Sequence, residues 1–532
     1  MLAGVAGSVY HNRHGRKSRL EDFMDQYHLY WGDLHTHFED IENGDAILRD
    51  ARQNIDFCAV LCYPFVWERK NGLRLESVRQ RPEFLQWWKK LKELNRAHYD
   101  PGAFTTFLAY EWHGNRTRYG DHNVIYLEED GPLDDSWELA QLYANLRQCQ
   151  ALALPHHTGY APQWRSKDWE VYDEKLSPLM EVFSGHGSSE GVDAAFPMES
   201  NGSMGPRTTG GTLQDALARG YRIGVIGSND GPGLPGRWGA GRAAVWATAC
   251  TREGLWEALK ARRTYAVSGD RMELEFSIEE AAMGSQTRAG SAVDVEVAVT
   301  GSHAIDRIEL LHNGYVQDTY CHSGCWERQA REQARFKVFI EAGWGPALHY
   351  GFKESGNHPW TCRLDLTGGE LVGVEPCFSM LGQRVVSRAK DHCAWKLFTA
   401  FRTVNRARTE GVVVELAGTS ETRLRLNMDG VEIDLSIGDL LDRSLLVPLV
   451  EESRQRVEDI FGLESGEVHN VDAYYHNARK IKVHRAIPQS GYRVAHTFRN
   501  IGLEQGRHYF YVRASQLNGQ MAWSSPIWVD VE

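Results

Sequence analysis

No apolar run in this chain of 532 residues reaches the roughly 20 residues that a helix needs to cross a bilayer, so no membrane partner is expected. A secretory leader is not expected either. His11, Arg13, His14, Arg16, Lys17 and Arg19 make the start polar and basic, with no apolar stretch behind them. A basic face is also missing. The formal charge of −12, with no basic stripe interleaved with aromatics, argues against nucleic acid as a partner. The nine cysteines are odd in number and irregular in spacing, so they form no disulfide framework. Cys58, Cys62 and Cys250 read as buried thiols, which suits a reducing, cytoplasmic compartment. Cys321 and Cys325 are the one close pair, and a zinc site there would need further ligands that the spacing does not offer. Repeats and low-complexity tracts are absent. What is present is an ordinary globular composition, 42% hydrophobic and 24% charged. It is too long for one core, and about two to four domains are expected.

From the N-terminus, 1–29 reads as an irregular arm. Over 30–270 short apolar strands alternate with amphipathic helices, the pattern of a parallel α/β architecture. Helices are expected from Asp45 to Asn54, from Pro82 through Leu94, from Asp134 or Asp135 through Leu146, and from a Thr251 cap through Leu259. Strands are expected at Ile55–Leu61, Phe104–Tyr110, Ala151–Leu154, Leu179–Phe183, Arg222–Ile226, Ala243–Ala247 and Tyr265–Ser268. With the run before His35, that makes enough strand–helix units for a (β/α) barrel. Over 271–532 the pattern becomes strict alternation. Val293, Val295, Val297 and Val299 show it, as do the arms of the Asp429-Gly430 hairpin, and Asn313-Gly314 marks another turn. This half reads as antiparallel β, one or two sandwich-type modules, with Leu440 to Phe461 as a helical excursion. Its role is open between packing on the barrel and assembly of homo-oligomers.

Groups able to bind metal recur just after the expected strands: His35 and His37, then Glu111, His156, His186 and Asp230. In a parallel α/β barrel those strand ends form the active face. A single histidine there is more often a capping or core residue, and a lone Glu111 could pair with Arg116 or Arg118. Six coincidences at equivalent positions point to a hydrolytic metal site of zinc, manganese or iron. One glutamate among four histidines suggests a bridged, two-metal centre.

These residues stand in Gly32-Asp33-Leu34-His35-Thr36-His37, Tyr110-Glu111-Trp112, Pro155-His156, Glu181 with Ser184-Gly185-His186-Gly187, and Gly227-Ser228-Asn229-Asp230. In this order they resemble the PHP (polymerase and histidinol phosphatase) superfamily, in particular its long branch with a β-rich C-terminal region. The segment from Tyr509 to Trp528 resembles the end of that branch. The resemblance implies a distorted (β/α)7 barrel followed by an antiparallel β-sandwich-type region. It assigns His35, His37, Glu111 and Asp230 to a first metal, and Glu111, His156 and His186 to a second. Two departures concern a third metal: Cys62-Tyr63 stands where the family has Asp-His, and Pro232 stands where it has His. A two-metal site is therefore expected, with space freed at the third position.

Such a site activates water for attack. Asp230 is placed to take the proton of the attacking water, with His157 and His113 as candidates to hold substrate or protonate the leaving group. Asp33 is expected to orient a ligand histidine. Arg116, Arg118, His122 and Asn123, in an expected loop after Glu111, are candidate substrate contacts, as are Arg237 in the Gly231–Gly241 loop and Tyr63. The leading expectation is a metal-dependent hydrolase of a small molecule, with carbonyl or C–N substrates ahead of phosphoesters because the third cation is lost. The alternatives are a PHP-type phosphoesterase and a degenerate scaffold protein.

Overall fold

The computed structural model describes residues 26–38, 41–63, 65–78, 81–198, 204–326, 334–346, 351–352, 358–399, 409–464, 466–469 and 471–532. The expected arm falls outside these as far as residue 25, and the first strand, β1, already begins at His28 and runs to Asp33. The fold is mixed α/β with a β-rich C-terminal region.

Helix α1 (Gly44–Ala51) buries Ile47, Leu48 and Ala51, as its apolar spacing requires. It leads into β2 (Phe57–Cys62), every residue of which is buried. Helix α2 (Arg81–His98) then precedes β3 (Thr105–Trp112), again buried throughout. Such unbroken apolar runs are the mark of strands covered on both faces, and β1, β2 and β3 do pair in parallel. Gly32 lets β1 and β2 approach: a Cβ there would stand 2.2 Å from the Phe57 ring.

The uniformly parallel expectation fails at the next element. β4 (Asp121–Tyr126) returns antiparallel to β3, so His122 and Asn123 lie in a buried strand and not in a loop. The short link Gly114–Gly120 makes this return local, where a parallel crossover would need a dozen residues or more. Helix α3 (Leu139–Leu146) starts after Glu138 without a side-chain cap. Asp134, expected to cap it, instead accepts from the Ser136 backbone and from Asn145 Nδ2. β5 (Ala151–His156) pairs antiparallel with β4 and so runs with β3 again.

β6 (Leu179–Ser184) and, after α4 (Leu213–Ala218), β7 (Gly224–Gly227) pair in parallel in a small separate sheet. On the far side of β1 come β8 (Arg242–Ala247), α5 (Arg252–Lys260) and β9 (Thr264–Val267), the two strands antiparallel. The Thr251 hydroxyl caps α5 by accepting from the Gly254 backbone at 3.1 Å. Hydroxyl bonds join the small sheet to its neighbours. Thr264 Oγ1 donates to the Val225 carbonyl at 2.8 Å, and Val225 N donates to Ser525 Oγ at 2.9 Å. On the other side Ser177 Oγ donates to the Ala153 carbonyl at 2.5 Å.

The chain's last strands return to this sheet. β10 (Gly506–Gln516) pairs with β11 (Met521–Ser524) and β12 (Ile527–Val531), and β11 lies antiparallel to β9, Trp523 opposite Ala266. One compact unit therefore runs to Val299 and resumes over Asp306–Cys321 and Ala495–Glu532, while Thr300–Ile305 with His322–Val494 form the other. Within the first unit the Asn313-Gly314 turn is made as expected, with φ of +51° and +87°.

The second unit holds two antiparallel sheets, a larger one centred on the pair Ala334–Gly343 and Thr409–Gly418 and a smaller one centred on His358–Thr367. Alternate residues such as Trp360, Leu364, Val338 and Val414 meet in one apolar cluster. Asp429 and Gly430 turn left-handed in the expected hairpin. The expected helical excursion is broken into Ile437–Asp442, a strand Leu445–Pro448, and a helix Val450–Phe461, because Pro448 has no N–H to continue a helix. Among the described residues no helix is long and apolar enough to cross a membrane.

Candidate metal centre

Because β1, β2, β3 and β5 run one way, their C-terminal ends open on a common side, and the residues after β6 and β7 join them there. Asp33 makes the first connection, though not by orienting a histidine ring as expected. Its Oδ1 accepts from the backbone of His35 and Asn229, and its Oδ2 from Thr36 Oγ1 and Gly236 N. Fully buried, it ties the end of β1 to the loop carrying Asp230, whose own N–H donates to the His35 carbonyl at 2.8 Å.

Four donor atoms then converge. His35 Nε2 is 3.3 Å from His37 Nε2, 3.7 Å from Glu111 Oε2 and 3.4 Å from Asp230 Oδ1. His37 Nε2 is 3.1 Å from the same Glu111 oxygen and 3.8 Å from the same Asp230 oxygen. Four ligands about 2.1 Å from a tetrahedral cation stand about 3.4 Å apart, so these separations match a coordination shell. The other carboxylate oxygens face a second group. Glu111 Oε1 lies 3.5 Å from His156 Nε2, and Asp230 Oδ2 lies 3.3 Å from His186 Nε2. Both carboxylates therefore present one oxygen to each set, where only Glu111 was expected to be shared. His157 joins the second set, its donor atom within 4.8 Å of those of His186 and Asp230.

The donor chemistry fits a cation. His156 is wholly buried, and neither of its ring nitrogens has a hydrogen-bond partner among the described residues. A buried polar atom left so costs about 1–3 kcal/mol. Burial, then the charges of His35 and His157, push the His156 imidazole well below its usual range, so it is neutral with a lone pair to offer. Burial would raise the Asp230 and Glu111 carboxyls. The histidines around Asp230, and His113 with His35 and His37 beside Glu111, outweigh that and hold both well below the ordinary carboxylate range.

Residues behind the donors fix their rings, as ligand histidines generally require. Glu181 Oε2, buried inside β6, stands 2.8 Å from His35 Nδ1. The buried Tyr160 hydroxyl stands 2.6 Å from His186 Nδ1. Sequence reasoning assigned Glu181 no role of its own and missed Tyr160. Pro155-His156-His157-Thr158-Gly159-Tyr160 gave no periodic signal that would have singled it out.

The remaining expected residues scatter. His113 Nε2 sits 2.6 Å from Glu111 Oε1, the same oxygen that faces His156. His157, at φ +36°, has Nε2 3.5 Å from Asp121 Oδ2. Arg116 grips Asp121 through Nε and Nη2, at 2.8 and 2.9 Å. Arg118 reaches away to Asp168, 3.0 Å from its Nε. His122 is buried against Trp112 and Tyr143 and does not face the donors, because β4 pairing turns it inward. Arg237 is half-buried beside Gly231. Tyr63 stacks on His37 with ring centroids 4.5 Å apart, and Pro232 is in register with His37, so both lie beside that histidine. Among the described residues a cavity of about 700 Å³ opens beside Arg118, Trp164 and Asp168, away from the cluster.

Residues 65–158 and 235–298 match a family described as a protein of unknown function (DUF3604). An uncharacterised protein of Chlamydia pneumoniae is 27% identical over 317 residues, 55% of this chain and 48% of its own length. One from Chlamydia muridarum is 25% identical over 322 residues, 56% of this chain and 49% of its own. The chain thus spans about half the length of the curated relatives it matches. A crystal structure of a two-domain protein from Bacteroides vulgatus, described as containing a predicted PHP-like metal-dependent phosphoesterase, is similar over 77% of this chain and 95% of that one, at 12% identity and a TM-score of 0.32.

Proposed function

We propose that this chain is a metal-dependent hydrolase of the PHP kind, with β1 to β9 forming a distorted barrel around two divalent cations of zinc, manganese or iron. The observation that carries the reading is the convergence of His35, His37, Glu111 and Asp230 at coordination spacing. Those four hold one cation. Glu111, Asp230, His156 and His186, with His157 beside them, hold the other. Bound cations of this class make water acidic near neutral pH and polarise the bond it attacks.

The chain's own groups do the rest. Asp230, kept ionised by the imidazoles around it, accepts the proton of the attacking water and returns it to the leaving group. His113 holds Glu111 in place, and Glu181 and Tyr160 hold the His35 and His186 rings. Tyr63 and Pro232 stand beside His37 where the PHP pattern has histidines, and the loss of those two ligands favours attack at a carbonyl or C–N bond over a phosphoester. Elemental analysis tests the reading. About two equivalents of metal are expected in the purified protein and a loss in His35→Ala. Protein that binds no metal when supplied with zinc, manganese or iron would sink it. A hydrolysis screen on the loaded protein then ranks the bond types, and fast phosphoester cleavage with no amide or ester cleavage would reverse the preference.

A further inference from the structure

Beside the donor cluster stands a second constellation that metal binding does not use. Asp121 is fully buried at the start of β4, opposite His156 in the ladder with β5. Arg116 grips it with two nitrogens, and Arg165 Nη2 donates to its Oδ2 at 2.6 Å. Two guanidiniums on one carboxylate leave a net positive charge, and enclosing an uncompensated charge is expensive. Arg165 Nε is buried and has no hydrogen-bond partner among the described residues, while the side chain as a whole keeps 23% exposure. What a ligand can reach is the exposed part of the side chain, since Nε itself is closed to solvent. The same guanidinium is 3.5 Å from His157 Nε2, so it borders the second donor set. Its backbone is held at φ +85°, with Gln163 at φ +69°. Non-glycine residues in that region cost roughly 1–3 kcal/mol each, and such strain gathers at ligand clamps.

We propose that Arg165, steadied by Asp121 and flanked by Arg116, forms an oxyanion subsite beside the metal cluster, taking a carboxylate or phosphate group of the substrate. The identity of the bound molecule as substrate rests on the hydrolase reading; the anion site itself does not. A guanidinium offers several donors in a fixed plane, so it can take a second acceptor on its exposed edge while Nη2 stays on Asp121.

The test is calorimetric titration of inorganic phosphate and, separately, acetate into the full chain, both metal-loaded and chelator-stripped. Losing a charged hydrogen bond to the anion weakens binding about tenfold or more, so Arg165→Gln is expected to show that loss with unchanged metal content. Loss for phosphate alone assigns a phosphate ligand; loss for acetate alone assigns a carboxylate. Arg165→Lys, which keeps the charge without the planar fork, is expected to weaken binding less. If the glutamine variant fails to fold, the lysine variant decides, and wild-type affinity in it overturns the subsite. A folded Arg165→Gln protein with wild-type affinity for both anions overturns it too, as does a wild-type protein that binds neither. Arg165-dependent anion binding in protein that takes up no metal even when supplied with zinc, manganese or iron would sink the hydrolase reading and leave the subsite standing.

Discussion

Removing the carboxylate of Glu181 should weaken metal binding although Glu181 is not among the six expected ligands; its donor atom lies within 4.8 Å of those of His35, His156 and Asp230. Its Oε2 stands 2.8 Å from His35 Nδ1, with both side chains almost fully excluded from solvent. A neighbouring carboxylate fixes which His35 nitrogen bears the proton, turns Nε2 toward the cation and makes it more basic. Loss of such partners typically costs 10–100-fold in affinity, about 1.4–2.7 kcal/mol. Glu181→Ala is expected near the top of that range. Glu181→Gln, which keeps an acceptor but loses its charge, is expected near tenfold. Competition against a chromophoric chelator measures the affinity, and thermal unfolding of the stripped proteins measures any separate effect on the scaffold. If the alanine variant is less stable without metal yet binds metal as tightly as wild type, Glu181 is only a packing residue and the orienting role is refuted.

Three further outcomes follow from other parts of the structure. Tyr63→His combined with Pro232→His restores imidazoles at two positions that meet at His37, and elemental analysis should rise from about two metals to three; either change alone should not do it. Trp523 is wholly buried, stacks on Phe183 with centroids 5.5 Å apart and donates to Glu190, so Trp523→Ala should lower unfolding stability by about 3–5 kcal/mol. A loss below about 1 kcal/mol would refute its place in the core. Burial pushes the Lys167 ammonium down to about 7. Between there and its ordinary range the unfolded chain binds one more proton than the folded one, so stability should rise with pH over that window and the rise should vanish in Lys167→Met.

Much of this was legible in the sequence because local signals carried it. The buried runs of β2, β3 and β5 announce strands covered on both faces; Glu111 and His156 follow from where β3 and β5 stop, and His35 and His37 from the end of β1. The Thr251 cap and the Asn313-Gly314 turn are likewise local chemistry. The misses share a different cause. Asp121 went unnoticed because a search of strand C-termini assumes parallel strands, whereas an antiparallel strand brings its first residue to that same face. Ser524 pairs with Tyr265 across nearly half the chain, a register that leaves no mark in either neighbourhood. Glu181 is harder still. Flanked by Met180 and Val182, it reads as a polar residue on a half-buried strand, yet it is buried against His35. What distinguishes it from an ordinary surface glutamate is a partner 146 residues away, and only a structure that closes the strand ends together supplies that partner. Residues proposed to bind a cation directly recur at strand ends and so show in the chain. Those that hold them are fixed by whichever distant side chain packs behind, and the physics of the site lies as much with Glu181, Tyr160 and Asp121 as with the ligands they steady.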